Sequence, residues 1–134
     1  MRKDIVIPKV EDIAVAVVQE LNEKNEQIWN AYLINLKKEK IKGVLVSTKG
    51  YGIKKGQQIK TSILRHFLDE MNPKSYKKIE RITEELVTVS NEFWVSFYLN
   101  KKMYDKKYIF LAEAISEENF VDVPIIEKKG VMIQ

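Results

Sequence analysis

The stretch from Val44 to Met71 constrains the fold of this chain most strongly. It begins with a β-branched apolar run, continues through a basic loop with three glycines, and ends in TSILRHFLDEM. In that last segment, apolar residues recur at the i, i+3, i+4, i+7 spacing of an amphipathic helix: Leu64, Phe67, Leu68 and Met71. The spacing predicts one main helix from Thr61 to Met71. Thr61 or Ser62 can cap its start, and the proline at 73 ends it.

The rest of the chain is typical of β-strands and turns. Alternating or continuous apolar runs predict five strands, at 13–21, 28–36, 41–48, 93–99 and 103–112. For the first of these segments a helix starting at Asp12 is the alternative, because it contains several good helix formers. The first three are separated by short polar turns, which indicates an antiparallel meander. The segment 77–89 fits a helix or a strand equally well by period. We also expect a short helical turn at 116–119 and a docked apolar tip at 131–133.

An internal similarity favours a strand at 77–89. A shift of 65 residues aligns 28–47 with 93–112 without gaps and places Trp29 on Trp94. Meanders resemble one another by chance, so duplication and coincidence both stay open. The expected fold class is α+β, in a single domain spanning 1–134. A mostly antiparallel sheet of about six strands would carry the main helix on one face, in two β-β-β-α halves of about 1–72 and 73–134.

Bulk properties exclude several classes of protein. A chain of 134 residues suits one domain that buries a core without staples. It has no cysteine, which excludes disulfides, thiolate nucleophiles and Cys-ligated zinc. The N-terminal apolar run is too short for a signal peptide, and no run approaches the length of a membrane span. We therefore expect a cytoplasmic protein with no membrane association.

The charge balance gives only weak support to nucleic-acid binding. Lysine and arginine number 23 against 19 acidic residues, and arginine occurs only at 2, 65 and 81. Arginine is the residue suited to bidentate phosphate or base recognition, whereas scattered lysines usually form a solvated surface.

The glycine loop is the first candidate site. Its candidate ligand-binding residues are Lys49, Gly50, Tyr51, Gly52, Lys54 and Lys55. Between a strand and a helix N-terminus, such a loop can hold an anion such as a phosphorylated small molecule. However, its glycine spacing matches neither the P-loop nor the dinucleotide-binding motif. A hairpin whose glycines supply positive φ is the alternative.

No catalytic residue is predicted. His66 is the only histidine, and no serine, carboxylate or metal ligand lies at a telling spacing from it. We expect His66 to lie at the surface or boundary, where with Arg65 it could contact a ligand or partner. No metal or other cofactor is predicted, and enzymatic activity is the less favoured class.

Aromatic residues of the last two long strands form the second candidate site. Trp94 and Tyr98 share one face of their strand, and Tyr108 shares a face with Tyr104 and Lys106 on the next. If both sets point away from the helix, they form an aromatic and lysine surface. Such a surface could stack bases or form a protein interface. A second small core is the alternative.

The segments VLVSTKGYG, KTSILRHFLDEM and NEFWVSFYLNKKMYDKKYIF resemble a family of small, uncharacterised bacterial proteins, over nearly the whole chain. Some members carry a name borrowed from phenylalanyl-tRNA synthetase. The resemblance implies a stand-alone single domain and lends slight weight to a translation-linked role. It carries over no catalytic residue, because none of the three arginines lies in a motif that matches the ATP site of such a synthetase.

These observations predict a non-catalytic binding or protein-interaction module, with a protein partner or a second copy of the chain as its partner. One alternative is a weak RNA or tRNA binder that uses lysines and aromatics. Another is a protein that holds a phosphorylated small ligand at the 49–60 loop.

Overall fold

A computed structural model describes residues 9–134 and places them in two antiparallel sheets of five strands each. The apolar run considered above as a signal segment lies in residues 1–8, outside the described residues. In chain order the elements are β1 (Ile13–Leu21), β2 (Gln27–Asn35), β3 (Ile41–Lys54), β4 (Gln57–Lys60), β5 (Leu64–Met71), β6 (Ser75–Ile82), α1 (Glu84–Val87), β7 (Ser90–Leu99), β8 (Lys102–Phe110), a 3-10 turn (Glu117–Asn119), β9 (Val121–Val123) and β10 (Lys128–Ile133).

The first sheet has the strand order β6-β2-β1-β10-β9. The second has the order β4-β3-β7-β8, with β5 also paired to the long strand β3. The two sheets pack face to face around one main apolar core, to which both contribute. The protein is therefore a β-sandwich. Among the described residues, no helix is long and apolar enough to cross a membrane.

The outer face of the first sheet is also closed. β1 is its middle strand, and residues 13–18 are buried on both faces, as expected of a central strand. The inward residues Ile13, Val15 and Val17 join the main core. The outward residues belong to a second buried cluster: Ala14, Ala16 and Val18, with Tyr32, Ile34, Val123 and Ile126. The predicted C-terminal apolar tip is part of β10, which pairs with β1.

The predicted α+β class is wrong, because the segment expected to form the main helix is extended. Residues 64–71 form β5 and pair with β3, and the only α-helix in the described part of the chain is α1. Leu68 packs against the core and Met71 is fully buried, whereas Leu64 and Phe67 are exposed. The pairing with β3 is irregular near Asp69, whose φ is +62°. Inward-facing residues of a regular strand are two positions apart, but this bulge places Leu68 and Met71 on the inner side three positions apart. The strand therefore has apolar residues at a spacing that is typical of a helix.

Thr61 pairs with a strand instead of capping a helix. The Gly50 N–H donates to Thr61 Oγ1 at 2.8 Å, and the Thr61 N–H donates back to the Gly50 carbonyl at 2.9 Å. These two bonds hold the connection between β4 and β5 against β3. The backbone is thereby satisfied in an extended conformation.

The prediction of a single sheet of about six strands is wrong too. β1 and β2 pair as predicted, but β3 leaves them and enters the second sheet. The segment 77–89 is divided between β6 and α1. The two aligned halves also pair differently. The 65-residue shift places β1 on β6 and β2 on β7. β1 pairs with β2, but β6 does not pair with β7 and pairs with β2 instead.

A polar cluster on the first sheet yields a prediction about acid stability. Glu20 accepts hydrogen bonds from Asn30 at 2.8 Å, from the Tyr32 hydroxyl and from Lys128. Burial alone would raise the pKa of Glu20, but the bonds from Lys128, Tyr32 and Asn30 outweigh it and hold the pKa below 4.5. Burial and the bond to Glu20 raise the pKa of the Tyr32 phenol. The cluster is therefore built around an ionised Glu20.

The pKa of Glu20 is lower in the folded than in the unfolded chain, so ionised Glu20 stabilises the fold. This stabilisation is present above about pH 4.5 and is lost as the pH falls through the pKa of Glu20 in the folded chain. We expect Glu20→Gln to lower the free energy of unfolding by about 1–2 kcal/mol at neutral pH. The variant should then lose less stability than the wild type on acidification to about pH 3. Urea unfolding at both pH values measures this. Equal acid sensitivity of the two proteins would contradict the prediction.

Candidate binding face

The outer face of the second sheet is exposed, and strand register determines which side chains share it. Residues directly opposite each other in an antiparallel pair point to the same side. One row across the sheet consists of Arg65 on β5, Ser47 on β3, Trp94 on β7 and Lys107 on β8. The next row along the strands consists of Phe67, Leu45, Ser96 and Asp105. The alternation of β3 extends the same face to Lys49, Tyr51 and Ile53.

Large apolar side chains on this face are open to solvent. Phe67 is 67% exposed, Tyr98 49% and Trp94 48%. Met103 and Ile109 are also exposed and lie opposite Tyr98 and Glu92. We call this surface the aromatic face; its aromatic members are Tyr51, Phe67, Trp94 and Tyr98. The two sheets therefore differ, since the outer face of the first has a buried apolar cluster and that of the second exposes most of its large apolar side chains.

Cations accompany the aromatic rings. The Lys107 ammonium lies 4.7 Å from the centre of the Trp94 ring, and that of Lys49 lies 5.8 Å from the Tyr51 ring. Lys42 lies opposite Tyr98, and Arg65 is two strands away from Trp94. These four cations outnumber the two carboxylates of the face, Glu92 and Asp105. The face therefore presents exposed rings in a net positive field.

Glu92 is the buried carboxylate of the aromatic face, only 7% exposed. One oxygen accepts a long hydrogen bond from the Tyr51 hydroxyl at 3.3 Å, and the other lies 3.6 Å from the Lys49 ammonium. Burial, the charge of Glu92 and this hydrogen bond raise the pKa of the Tyr51 phenol. Tyr51 thus stays protonated as a donor, and Glu92 keeps capacity to accept further hydrogen bonds.

A pocket of about 180 Å³ lies on the aromatic face beside Trp94. It is lined by Ser47, Thr48, Lys49, Ile63, Arg65, Glu92 and Trp94. Ser47 separates Arg65 from Trp94 in the cross-strand row. Because serine is small, its position leaves a gap between the indole and the guanidinium. We call this gap the Trp94 slot.

Thr48 and Glu80 are among the residues that line a second pocket, of about 140 Å³. Glu80 Oε1 accepts a hydrogen bond from Thr48 Oγ1 at 2.7 Å and lies 2.6 Å from His66 Nε2. Since the threonine hydroxyl donates to the carboxylate and not to the imidazole, His66 is not placed to activate it as a nucleophile. His66 and Thr48 instead bind the second sheet to β6 of the first. No sequence pattern indicates the His66–Glu80 contact, because the two residues lie 14 positions apart on strands that do not pair.

The glycine loop is a hairpin. Lys54 pairs with Gln57, and the two central turn residues, Lys55 and Gly56, have φ of +52° and +75°. Positive φ at both positions defines the tight type I′ turn that suits two-residue hairpins. Gly50 and Gly52 lie within β3, where a Cβ on Gly52 would come within 3.1 Å of Val89. No helix follows the loop, so the helix-dipole argument for phosphate does not apply to it.

The remaining predicted site residues are divided between two faces. Arg65, Trp94 and Tyr98 lie together on the aromatic face, and Lys49 and Tyr51 join them from the glycine loop. Tyr108 points the other way. It is 1% exposed, lies opposite Phe93 and donates a hydrogen bond from its hydroxyl to the Ile13 carbonyl at 2.7 Å. Burial raises the pKa of Tyr108, which is a core residue linking the two sheets.

Several residues of the aromatic face were not predicted, namely Lys42, Ser47, Phe67, Met103, Lys107 and Ile109. The prediction of a helix over 61–71 assigned Phe67 to a buried stripe. The alternation of Ser47, Lys49 and Tyr51 is visible in the sequence and would have identified one strand of the face.

The described residues contain no cluster of histidine and acidic side chains that could hold a metal ion. Searches of protein-family models, curated proteins and solved structures find no match to the chain.

Proposed function

We propose that this protein is a non-catalytic binding module that holds a macromolecular partner on the aromatic face. One observation carries the proposal. Seven of the twelve exposed large apolar side chains of the described residues lie on this face: Ile53, Ile63, Phe67, Trp94, Tyr98, Met103 and Ile109. A surface that exposes several large apolar side chains among charged ones is a common mark of an interaction site. A cytoplasmic location belongs to the same proposal.

Charge bears on the class of partner. Two copies of the aromatic face placed against each other would bring Lys42, Lys49, Arg65 and Lys107 of each copy together. That arrangement opposes a face-to-face homodimer. A partner with anionic groups, whether protein or nucleic acid, complements the same cations.

Photo-crosslinking in cells that express the full chain tests whether the face is a binding site. We expect p-benzoyl-phenylalanine at position 67 to form discrete adducts, because Phe67 is exposed on the face and the substitution leaves Trp94 in place. The same residue at position 24, in the exposed turn between β1 and β2, is the matched control. Nuclease and protease digestion of the adducts then distinguish nucleic acid, protein and a second copy of the chain. Adducts no more abundant at 67 than at 24 would refute the proposed function.

A further inference from the structure

Resting on the proposed function, we propose that the partner is single-stranded RNA and that the Trp94 slot holds one of its bases between the Trp94 indole and the Arg65 guanidinium. The aromatic face would carry the neighbouring nucleotides. The inference depends on the width of the slot, on its ring surfaces and on the charges that line it.

The width of the slot suits one planar ring. Arg65 and Trp94 lie two strands apart, with Ser47 between them. Two interstrand spacings amount to about 9.6 Å. A ring stacked between two planar groups needs roughly 7–8 Å, which is two carbon–carbon contacts of 3.5–4.0 Å. The serine side chain is short enough to form the floor. One base therefore fits, with room for small side-chain adjustments.

Both walls of the slot are suited to stacking. Nucleobases stack on aromatic rings and on the guanidinium plane of arginine. Lys107 contacts the Trp94 ring at 4.7 Å but is absent from the lining of the pocket, since β8 lies on the side of β7 away from β3. The side of the indole toward Ser47 and Arg65 therefore stays open. Tyr98, four residues further along β7 or about 13 Å away, offers a second ring.

The charges around the slot suit a nucleotide strand. Lys49 and Arg65 line the pocket, and Lys42 and Lys107 flank the rings of the same face. Phosphates of a bound strand would meet these cations on either side of the stacked base. An acidic peptide could use the same cations, but its carboxylates would leave the planar slot unfilled.

Glu92 favours RNA over DNA. A buried carboxylate beside a polyanionic strand is unfavourable unless it accepts a hydrogen bond from that strand. Glu92 lines the slot, and its hydrogen bond from Tyr51 is long. The ribose 2′-hydroxyl is a donor that DNA lacks. We therefore assign to Glu92 the role of accepting this hydroxyl, in addition to any amino group of the base.

Fluorescence anisotropy with labelled decamers of rA, rC and rU, and with the matching DNA, tests the inference on the full chain. We expect micromolar binding of RNA at low salt. If all four cations contact phosphates, the log–log dependence on salt should have a slope of about −2 to −3, because each contact contributes about −0.7 on a single strand. DNA of the same sequence should bind several-fold more weakly.

Three variants assign the binding to the slot. Trp94→Ala should weaken RNA binding by about 5- to 100-fold, the range expected for one stacked base. Arg65→Lys keeps the charge but removes the planar wall, so affinity should fall with the salt slope unchanged. Glu92→Gln should reduce the preference for RNA over DNA. Lys24→Ala, which removes an exposed cation from the turn between β1 and β2, is the control and should change affinity by less than about twofold.

The outcomes separate the two proposals. Flat anisotropy at low salt for every decamer would overturn the RNA inference. Nuclease-resistant protein adducts at position 67 would, in that case, leave the proposed function in place. Binding that Arg65→Lys and Trp94→Ala leave unchanged would show attraction by net charge alone and would also overturn the inference. Competition by polyglutamate as strong as that by RNA, at equal charge, would favour an acidic peptide instead.

Discussion

Gly130→Ala is expected to destabilise the protein by about 2–4 kcal/mol, although it adds a single methyl group. Gly130 lies in β10 opposite Val18 of β1. A Cβ at this position would lie 2.5 Å from the Val17 carbonyl oxygen and 3.0 Å from Val18 Cα. Both atoms are backbone, so no side chain can rotate away. β10 would have to move, and it is hydrogen-bonded to β1 on one side and β9 on the other.

Urea unfolding followed by circular dichroism measures this effect. Gly56→Ala is the matched control, because it is also a glycine-to-alanine change but its Cβ would meet nothing within 4 Å. Because φ at position 56 is +75°, alanine there should lower the free energy of unfolding by about 1 kcal/mol through backbone strain alone. A Gly130→Ala variant no less stable than Gly56→Ala would show that the backbones of β1 and β10 do not approach each other as closely as in this structure.

Local alternation identified most strands, because burial on one or both faces leaves a direct pattern in the sequence. The predicted strand at 13–21 has the bounds of β1, and those at 28–36 and 93–99 overlap β2 and β7. The pattern does not specify which strands pair. The turn before β3 is compatible with a meander and with a crossing to a second sheet, and long-range packing determines the choice. The same limit applies to Leu68 and Met71, whose helical spacing results from a bulge in β5.

One turn explains why part of the aromatic face was predicted correctly and part was not. A three-residue turn of Asn100, Lys101 and Lys102 would place Tyr108 opposite Trp94. The structure has a two-residue turn, in which Leu99 pairs with Lys102 and both central residues have positive φ. This shift of one residue puts Lys107 opposite Trp94 and sends Tyr108 into the core. Side-chain parity along β7 was visible in the sequence, but the register between β7 and β8 was not.

Phe93 and Trp94 are adjacent aromatic residues whose replacement by alanine should have opposite consequences. Phe93→Ala is expected to lower the free energy of unfolding by about 3–5 kcal/mol. Phe93 is 1% exposed and packs edge-to-face on Phe110 with ring centroids 5.7 Å apart. Trp94→Ala should cost at most about 1 kcal/mol, since half of the side chain is exposed and its contact with Lys107 is a surface interaction.

Comparing Phe93→Ala with Trp94→Ala separates the aromatic residue that stabilises the fold from the one that is proposed to bind RNA. Urea unfolding of the two variants, followed by circular dichroism, should separate them by at least about 2 kcal/mol, the difference between the two expected ranges. Under folding conditions, RNA binding should be weakened by about 5- to 100-fold in the variant that stays stable, Trp94→Ala. A large exposed ring that contributes little to folding is most simply explained as a contact for a partner. Equal destabilisation by the two substitutions would mean that Trp94 is packed as a core residue. Trp94 would then not be available to a partner on the aromatic face.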